Sequence, residues 1–128
     1  MSRILVVEDD EAIRHMEERI LVAAGHQVDQ AVDVISARAR LQAPNPPDLV
    51  VLDVMMPGAS GLDLSREMRK DPRYQKIPVV VVTARTGAEA MRVGFEAGAT
   101  HYLSKPFTKQ KLLEIVELAL SGSAAAEP

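Results

Sequence analysis

The chain has no cysteine and no tryptophan, and among its 128 residues only two tyrosines and two phenylalanines. Without thiols there are no disulfides and no thiolate metal sites, which agrees with a reducing compartment. The scarcity of rings predicts an aliphatic core. No apolar run approaches the roughly 20 residues that a helix needs to cross a bilayer. Met1-Ser-Arg3 leads almost at once into an apolar run, so no signal peptide is expected. Lysine and arginine number 15 against 18 acidic residues, a net charge of -3, and they are scattered along the chain. Direct nucleic-acid binding through a basic patch is therefore not expected. No glycine-rich phosphate loop follows the first apolar run, which argues against dinucleotide binding. His15, His26 and His101 lack the spacing of metal ligands. Together these absences predict a cytoplasmic protein with no membrane partner.

What is present is a regular alternation. The composition, 47% hydrophobic and 26% charged, is that of an ordinary globular domain. Short runs of Val, Ile and Leu alternate with stretches of helical period: Ile13, Met16, Ile20 and Ala24; Val34, Ala37 and Leu41; Leu62, Leu64 and Met68; Ala88, Met91 and Phe95. Uninterrupted strands such as Val79 to Val82 predict a sheet covered on both faces, as parallel sheets are. Right-handed crossovers then place helices on each side. The expected fold class is α/β, a doubly wound five-stranded parallel sheet of order 2-1-3-4-5 with five helices. Gly25 and Gly98 are read as helix ends, and Pro44-Asn-Pro-Pro47 as the break before the third strand. Residues 1–120 form the expected domain, and 121–128, small and polar, a flexible linker-like tail.

Four apolar runs end in residues of complementary chemistry. The first leads into Glu8-Asp9-Asp10, the third into Asp53, the fourth into Thr83 and the fifth, past Ser104, into Lys105-Pro106. In an open parallel sheet, ligands bind beyond the carboxyl ends of the strands where strand order reverses, here between strands one and three. Glu8, Asp9 and Asp53 would then lie close together, and like charges at that range require a cation. Mg2+ suits hard oxygen ligands and keeps waters that a phosphoryl oxygen replaces. A carboxylate such as Asp53 forms an aspartyl-phosphate when it attacks phosphorus. Lys105 and the Thr83 hydroxyl would each meet a phosphoryl oxygen. Taken singly, each residue has a plainer reading: Glu8-Asp9-Asp10 as a helix cap, Asp53 as a turn residue, Thr83 as a cap and Lys105 as a solvated charge. Their convergence on one sheet edge is what favours the site.

The segments Ile4-Leu-Val-Val-Glu-Asp-Asp10, Val51-Leu-Asp-Val-Met-Met-Pro-Gly58 with Gly61, Val80-Val-Val-Thr-Ala84, Gly98-Ala99 and Tyr102-Leu-Ser-Lys-Pro-Phe107 are present in that order. With them the chain resembles the receiver domains of two-component response regulators, over residues 3 to about 120. The resemblance implies a flavodoxin-like fold and a phosphoacceptor switch, not a turnover enzyme. By it, Asp9 binds Mg2+ directly and Glu8 through water, and Met55 lends a backbone carbonyl. Asp53 accepts phosphate, Lys105 holds it, and Thr83 with Tyr102 forms the switch pair. The Lys105-Pro106 bond would be cis. Met55 and Arg85, each two residues beyond a site residue, would tune the rate at which water reaches the phosphate. The implied donors are a sensor histidine kinase or a histidine phosphotransfer protein. Thr100 and His101 stand where winged-helix regulators of the family carry two acids, a departure from that group.

The last helix carries Leu112, Leu113, Ile115, Val116, Leu118, Ala119 and Leu120, an arc wider than one covered face requires. Ile115 and Leu118 are therefore expected to face outward, with Val93 and Tyr102 nearby, as a surface for a downstream protein or a second copy. That surface would comprise the fourth helix, fifth strand and fifth helix. Two other functions fit the same fold. A Mg2+-dependent phosphohydrolase acting through aspartyl-phosphate would need a second acid or base and a substrate cap. A flavin-binding module would need a hydroxyl-rich phosphate loop where Glu8-Asp9-Asp10 stands.

Overall fold

The sheet is assembled from five short parallel strands whose residues alternate between two cores. In the computed structural model, which describes residues 2–54, 60–84 and 87–122, the elements are β1 Arg3–Val7, α1 Glu11–Ala23, β2 Gln27–Ala31, α2 Val34–Leu41, β3 Leu49–Asp53, α3 Gly61–Lys70, β4 Val79–Thr83, α4 Ala88–Glu96, β5 His101–Ser104 and α5 Lys109–Leu120. Strand order is β2-β1-β3-β4-β5, all parallel. The expected α/β class, strand order and five helices are all found.

The two-residue period of a strand explains why continuous apolar runs are needed. Leu5, Val7, Val50, Leu52, Val79 and Val81 face one side, against Val34, Ala37 and Leu41 of α2 and Leu64 and Met68 of α3. Ile4, Val6, Leu49, Val51, Val80 and Val82 face the other, against Leu21 of α1 and Leu112, Ile115, Val116 and Ala119 of α5. The central strands β3 and β4 are buried throughout, whereas the edge strands β2 and β5 are covered less evenly.

Helix ends follow local chemistry. The Asp10 carboxylate accepts the Ile13 amide at 2.9 Å and caps α1. Asp33 and Ser36 form a reciprocal capping box on α2, and Ser60 and Thr108 cap α3 and α5. Gly25 and Gly98 follow α1 and α4 at φ 98° and 99°, where residues with a Cβ are strained. The Lys105-Pro106 bond is cis.

Two expectations about helix faces are corrected. Ile115 is 6% exposed and belongs to the α5 side of the core, so it is no part of an outward surface; Leu118, at 36%, does face out. The wide apolar arc of α5 arises because this helix covers β4 and β5 and also touches α1. Met16, one of the periodic apolar residues of the first helix, is 38% exposed, and the neighbouring Glu17 takes the inward place. Of the tail, only Ser121 and Gly122 lie within the described residues.

The orientation of α5 has a direct thermodynamic signature. Leu112→Ala, at a fully buried position, is expected to cost about 2–5 kcal/mol of unfolding free energy, and Leu118→Ala less than about 1 kcal/mol. Urea denaturation of the two variants checks this; equal losses would mean that α5 is turned differently.

Candidate metal and phosphoryl site

All the strand ends singled out from the sequence meet at the carboxyl edge of the sheet. Val7 pairs with Leu52 across β1 and β3, so the chain leaves both strands at the same level, into Glu8-Asp9 on one side and Asp53 on the other. One ligand atom from each of Glu8, Asp9 and Asp53 lies within 4.8 Å of the others. Glu8 and Asp53 are buried, at 1% and 4% exposure, while Asp9 is open to solvent. The cluster is thus a cup with two deep walls and one at the rim. Hard, ionisable oxygens at this spacing fit a small divalent cation.

Lys105 is the counter-charge. It follows β5, and its ammonium group donates to Glu8 Oε1 at 2.8 Å and lies 3.5 Å from Asp53 Oδ1. Burial alone would lower the Lys105 pKa, but the Glu8 hydrogen bond and the charges of Asp53, Glu8 and Glu17 outweigh it, and the net displacement is upward. Glu8 is pushed up to about 7, chiefly by burial; the Lys105 hydrogen bond opposes this and the nearby Asp53 adds to it.

Backbone geometry holds Asp53 in place. A Cβ on Gly61, the first residue of α3, would stand 2.1 Å from the Asp53 carbonyl oxygen, so a side chain there would push α3 away from the end of β3. Thr83 ends β4 and is 1% exposed. It lines a cavity of about 380 Å³ together with Val54, Leu62, Ala90, Val93 and Tyr102. Tyr102 also packs against Phe95 with ring centroids 6.3 Å apart, and a Cβ on Gly94 would come within 3.2 Å of its ring. Met55 and Arg85 lie outside the described residues.

Glu17 is a residue that the sequence reading passed over. It sits on α1 one turn before Leu21, is 1% exposed, and its Oε2 has no hydrogen-bond partner among the described residues. Burial raises its pKa to about 8, the charges of Glu8 and Asp53 add to the rise and Lys105 counters it. A signal was available: Glu17 interrupts an apolar stripe running from Ile13 to Leu21 at four-residue steps.

The sequence profile described as "Response regulator receiver domain" matches residues 4–117. The chain is 44% identical over 125 residues to "Response regulator MprA" of Mycobacterium sp. (strain KMS), covering 98% of this chain and 53% of that protein. It is 39% identical over 120 residues to "DNA-binding dual master transcriptional regulator RpaA" of Synechocystis sp., covering 94% of this chain and 49% of that protein. The chain thus spans about half the length of these curated relatives. Among solved structures, chemotaxis response regulator CheY4 of Vibrio cholerae superposes with a TM-score of 0.88 at 32% identity, over 93% of this chain and 98% of that one.

The raised Glu17 pKa makes stability depend on pH. Its folded value of about 8 lies above the 4.5 of an unperturbed glutamate. Folding therefore retains a proton that the unfolded chain has lost, and this contribution is complete below about pH 4.5 and gone above about pH 8. Between those limits it falls by about 1.4 kcal/mol per pH unit. In metal-free buffer, Glu17→Gln is expected to flatten the decline and to be more stable than the wild type at pH 8.5. Parallel slopes from denaturant melts at pH 5.5, 7 and 8.5 would show that Glu17 does not titrate in this way.

Proposed function

The chain belongs to the response regulator receiver domain family, and from that premise we propose that Asp53 accepts a phosphoryl group with Mg2+ held by Glu8, Asp9 and Asp53. The observation that carries this reading is Lys105, which bridges Glu8 and Asp53 beside three converging carboxylates. The Met55 carbonyl, outside the described residues, completes the proposed ligand set. When bound, Mg2+ screens the repulsion between the carboxylates and the incoming phosphoryl oxygens.

The chain's own residues do the rest. An Asp53 oxygen attacks phosphorus while the P–N bond of a phosphohistidine breaks. The electron pair leaves on the imidazole nitrogen, which takes up a proton. Such transfers depend on positioning and electrostatics, and two features support this reading. Glu8 and Asp53 are held apart from bulk water, and Lys105 is within reach of an oxygen on Asp53. As the phosphoryl group arrives, Lys105 exchanges part of its contact with Glu8 for a phosphoryl oxygen. Thr83 donates to another oxygen. The shared cavity gives Tyr102 room to turn as Thr83 moves, which carries the change to α4, β5 and α5.

The proposed donors are a sensor histidine kinase or a histidine phosphotransfer protein in the cytoplasm. The output is a downstream protein or a second copy docking on α4, β5 and Leu118 of α5, without Ile115. Met55 and Arg85 remain the proposed tuners of phosphate lifetime. The family is a signalling domain, and the matches lend no support to the phosphohydrolase alternative. We read the domain as a switch that at most catalyses its own phosphorylation and dephosphorylation.

Intact mass after incubation with acetyl phosphate tests the reading. The wild type is expected to gain one phosphoryl group with Mg2+ and none without it, and Asp53→Asn none in either case. If Asp53→Asn gained as much as the wild type, the acceptor would lie elsewhere. If the folded wild type gained none from acetyl phosphate or from a phosphohistidine donor, the phosphoacceptor reading would fall.

A further inference from the structure

Arg14, on the first full turn of α1, is not among the residues expected at the site, yet it touches the backbone of two of them. Its Nη1 donates to the Glu8 carbonyl oxygen at 3.1 Å and lies 3.5 Å from that of Asp9. Its Nε donates to Gln30 Oε1 at 2.8 Å, on the edge strand β2. The fork thus spans from β2 to the turn that carries both acids.

That turn has few other restraints. The Glu8 amide donates to the Ala31 carbonyl, Glu8 Oε1 accepts from Lys105 at 2.8 Å and Oε2 from the Asp10 amide at 3.2 Å, and Asp10 caps α1. None of these contacts holds the carbonyl side of Glu8 or Asp9. The direction of those carbonyls sets the rotation of the neighbouring peptide planes, and with it the direction in which the two carboxylates leave the chain. A planar guanidinium with several donors suits this task, where a lysine could satisfy one acceptor at a time.

We propose that Arg14 is a positioning residue for the cation site: anchored on Gln30, it clamps the Glu8 and Asp9 carbonyls and so holds the two carboxylates aimed at the metal. The inference rests on reading Glu8, Asp9 and Asp53 as that site. It makes a prediction opposite in sign to simple electrostatics. A fixed positive charge near a cation site weakens metal binding, so its removal should tighten binding if charge were its main effect. Loss of a clamp should loosen binding, and residues that orient metal ligands typically matter about 10–100-fold in affinity.

The test is Mg2+ affinity by isothermal titration calorimetry for the wild type, Arg14→Met, Arg14→Lys and Gln30→Leu, with a thermal melt of each. Arg14→Met is expected to bind Mg2+ at least about tenfold more weakly than the wild type. Arg14→Lys should fall between them, and Gln30→Leu should weaken binding by a smaller factor. Arg14→Met binding Mg2+ as tightly as the wild type, or more tightly, would overturn the clamp and leave the site standing. A wild type with no saturable Mg2+ binding would overturn the site and the clamp together. If Arg14→Met does not fold, Gln30→Leu decides, and unchanged affinity in that variant overturns the proposal.

Discussion

The ammonium group of Lys105 between Glu8 and Asp53 is the interaction on which the edge of this sheet depends. Three carboxylates gathered within 4.8 Å, two of them buried, repel one another strongly in an interior of low dielectric. One cation at 2.8 Å from Glu8 and 3.5 Å from Asp53 compensates only part of this. Burial, with the neighbouring carboxylates adding to it, displaces Glu8 upward to about 7 and the nearby Glu17 to about 8. Such a site is poised to take up positive charge, which is the condition under which the proposed function brings in a phosphoryl group.

The parallel sheet makes this concentration of charge possible. Because β3 and β4 are buried along their whole length, their side chains hold the strands in register without help from the site. The polar residues can then be confined to the strand ends. The close approach of α3 to Asp53 at Gly61, and the grip of Arg14 on the turn after β1, extend this support to the backbone around the carboxylates. The cavity shared by Thr83 and Tyr102 is lined by the end of β3, α3, α4 and β5, next to Thr83 at the carboxyl end of β4.

Much of this was legible in the sequence for a physical reason. Strands buried on both faces must be apolar throughout, so Val79 to Val82 could hardly be anything else, and the first polar residue after each run marks its end. The apolar pattern implied the fold class; the strand order came with the resemblance, and the convergence of Glu8, Asp9, Asp53, Thr83 and Lys105 followed from that order. Helix faces were less legible. Periodicity of three to four residues leaves the phase of a helix uncertain by about one position, and the apolar residue is the natural choice for the inward place. On α1 that choice favoured Met16 over Glu17; on α5, where the apolar arc is wider than one covered face, it could not single out the inward residues, and Ile115 was placed outside.

By itself, then, the amino-acid sequence determined the fold class, because burial on two faces leaves a strand almost no freedom of composition, and, through the motifs that carry the resemblance, the strand order and the residues gathered at the carboxyl edge. Tertiary structure alone decided which carboxylates are deep and which is at the rim, that Lys105 binds Glu8 more closely than Asp53, and that α1 turns Glu17 inward while sending Arg14 to the Glu8 and Asp9 carbonyls. These outcomes depend on the rotation of helices and on contacts between residues as many as 97 positions apart. No local pattern encodes either, since both are set by how the helices pack against the assembled sheet.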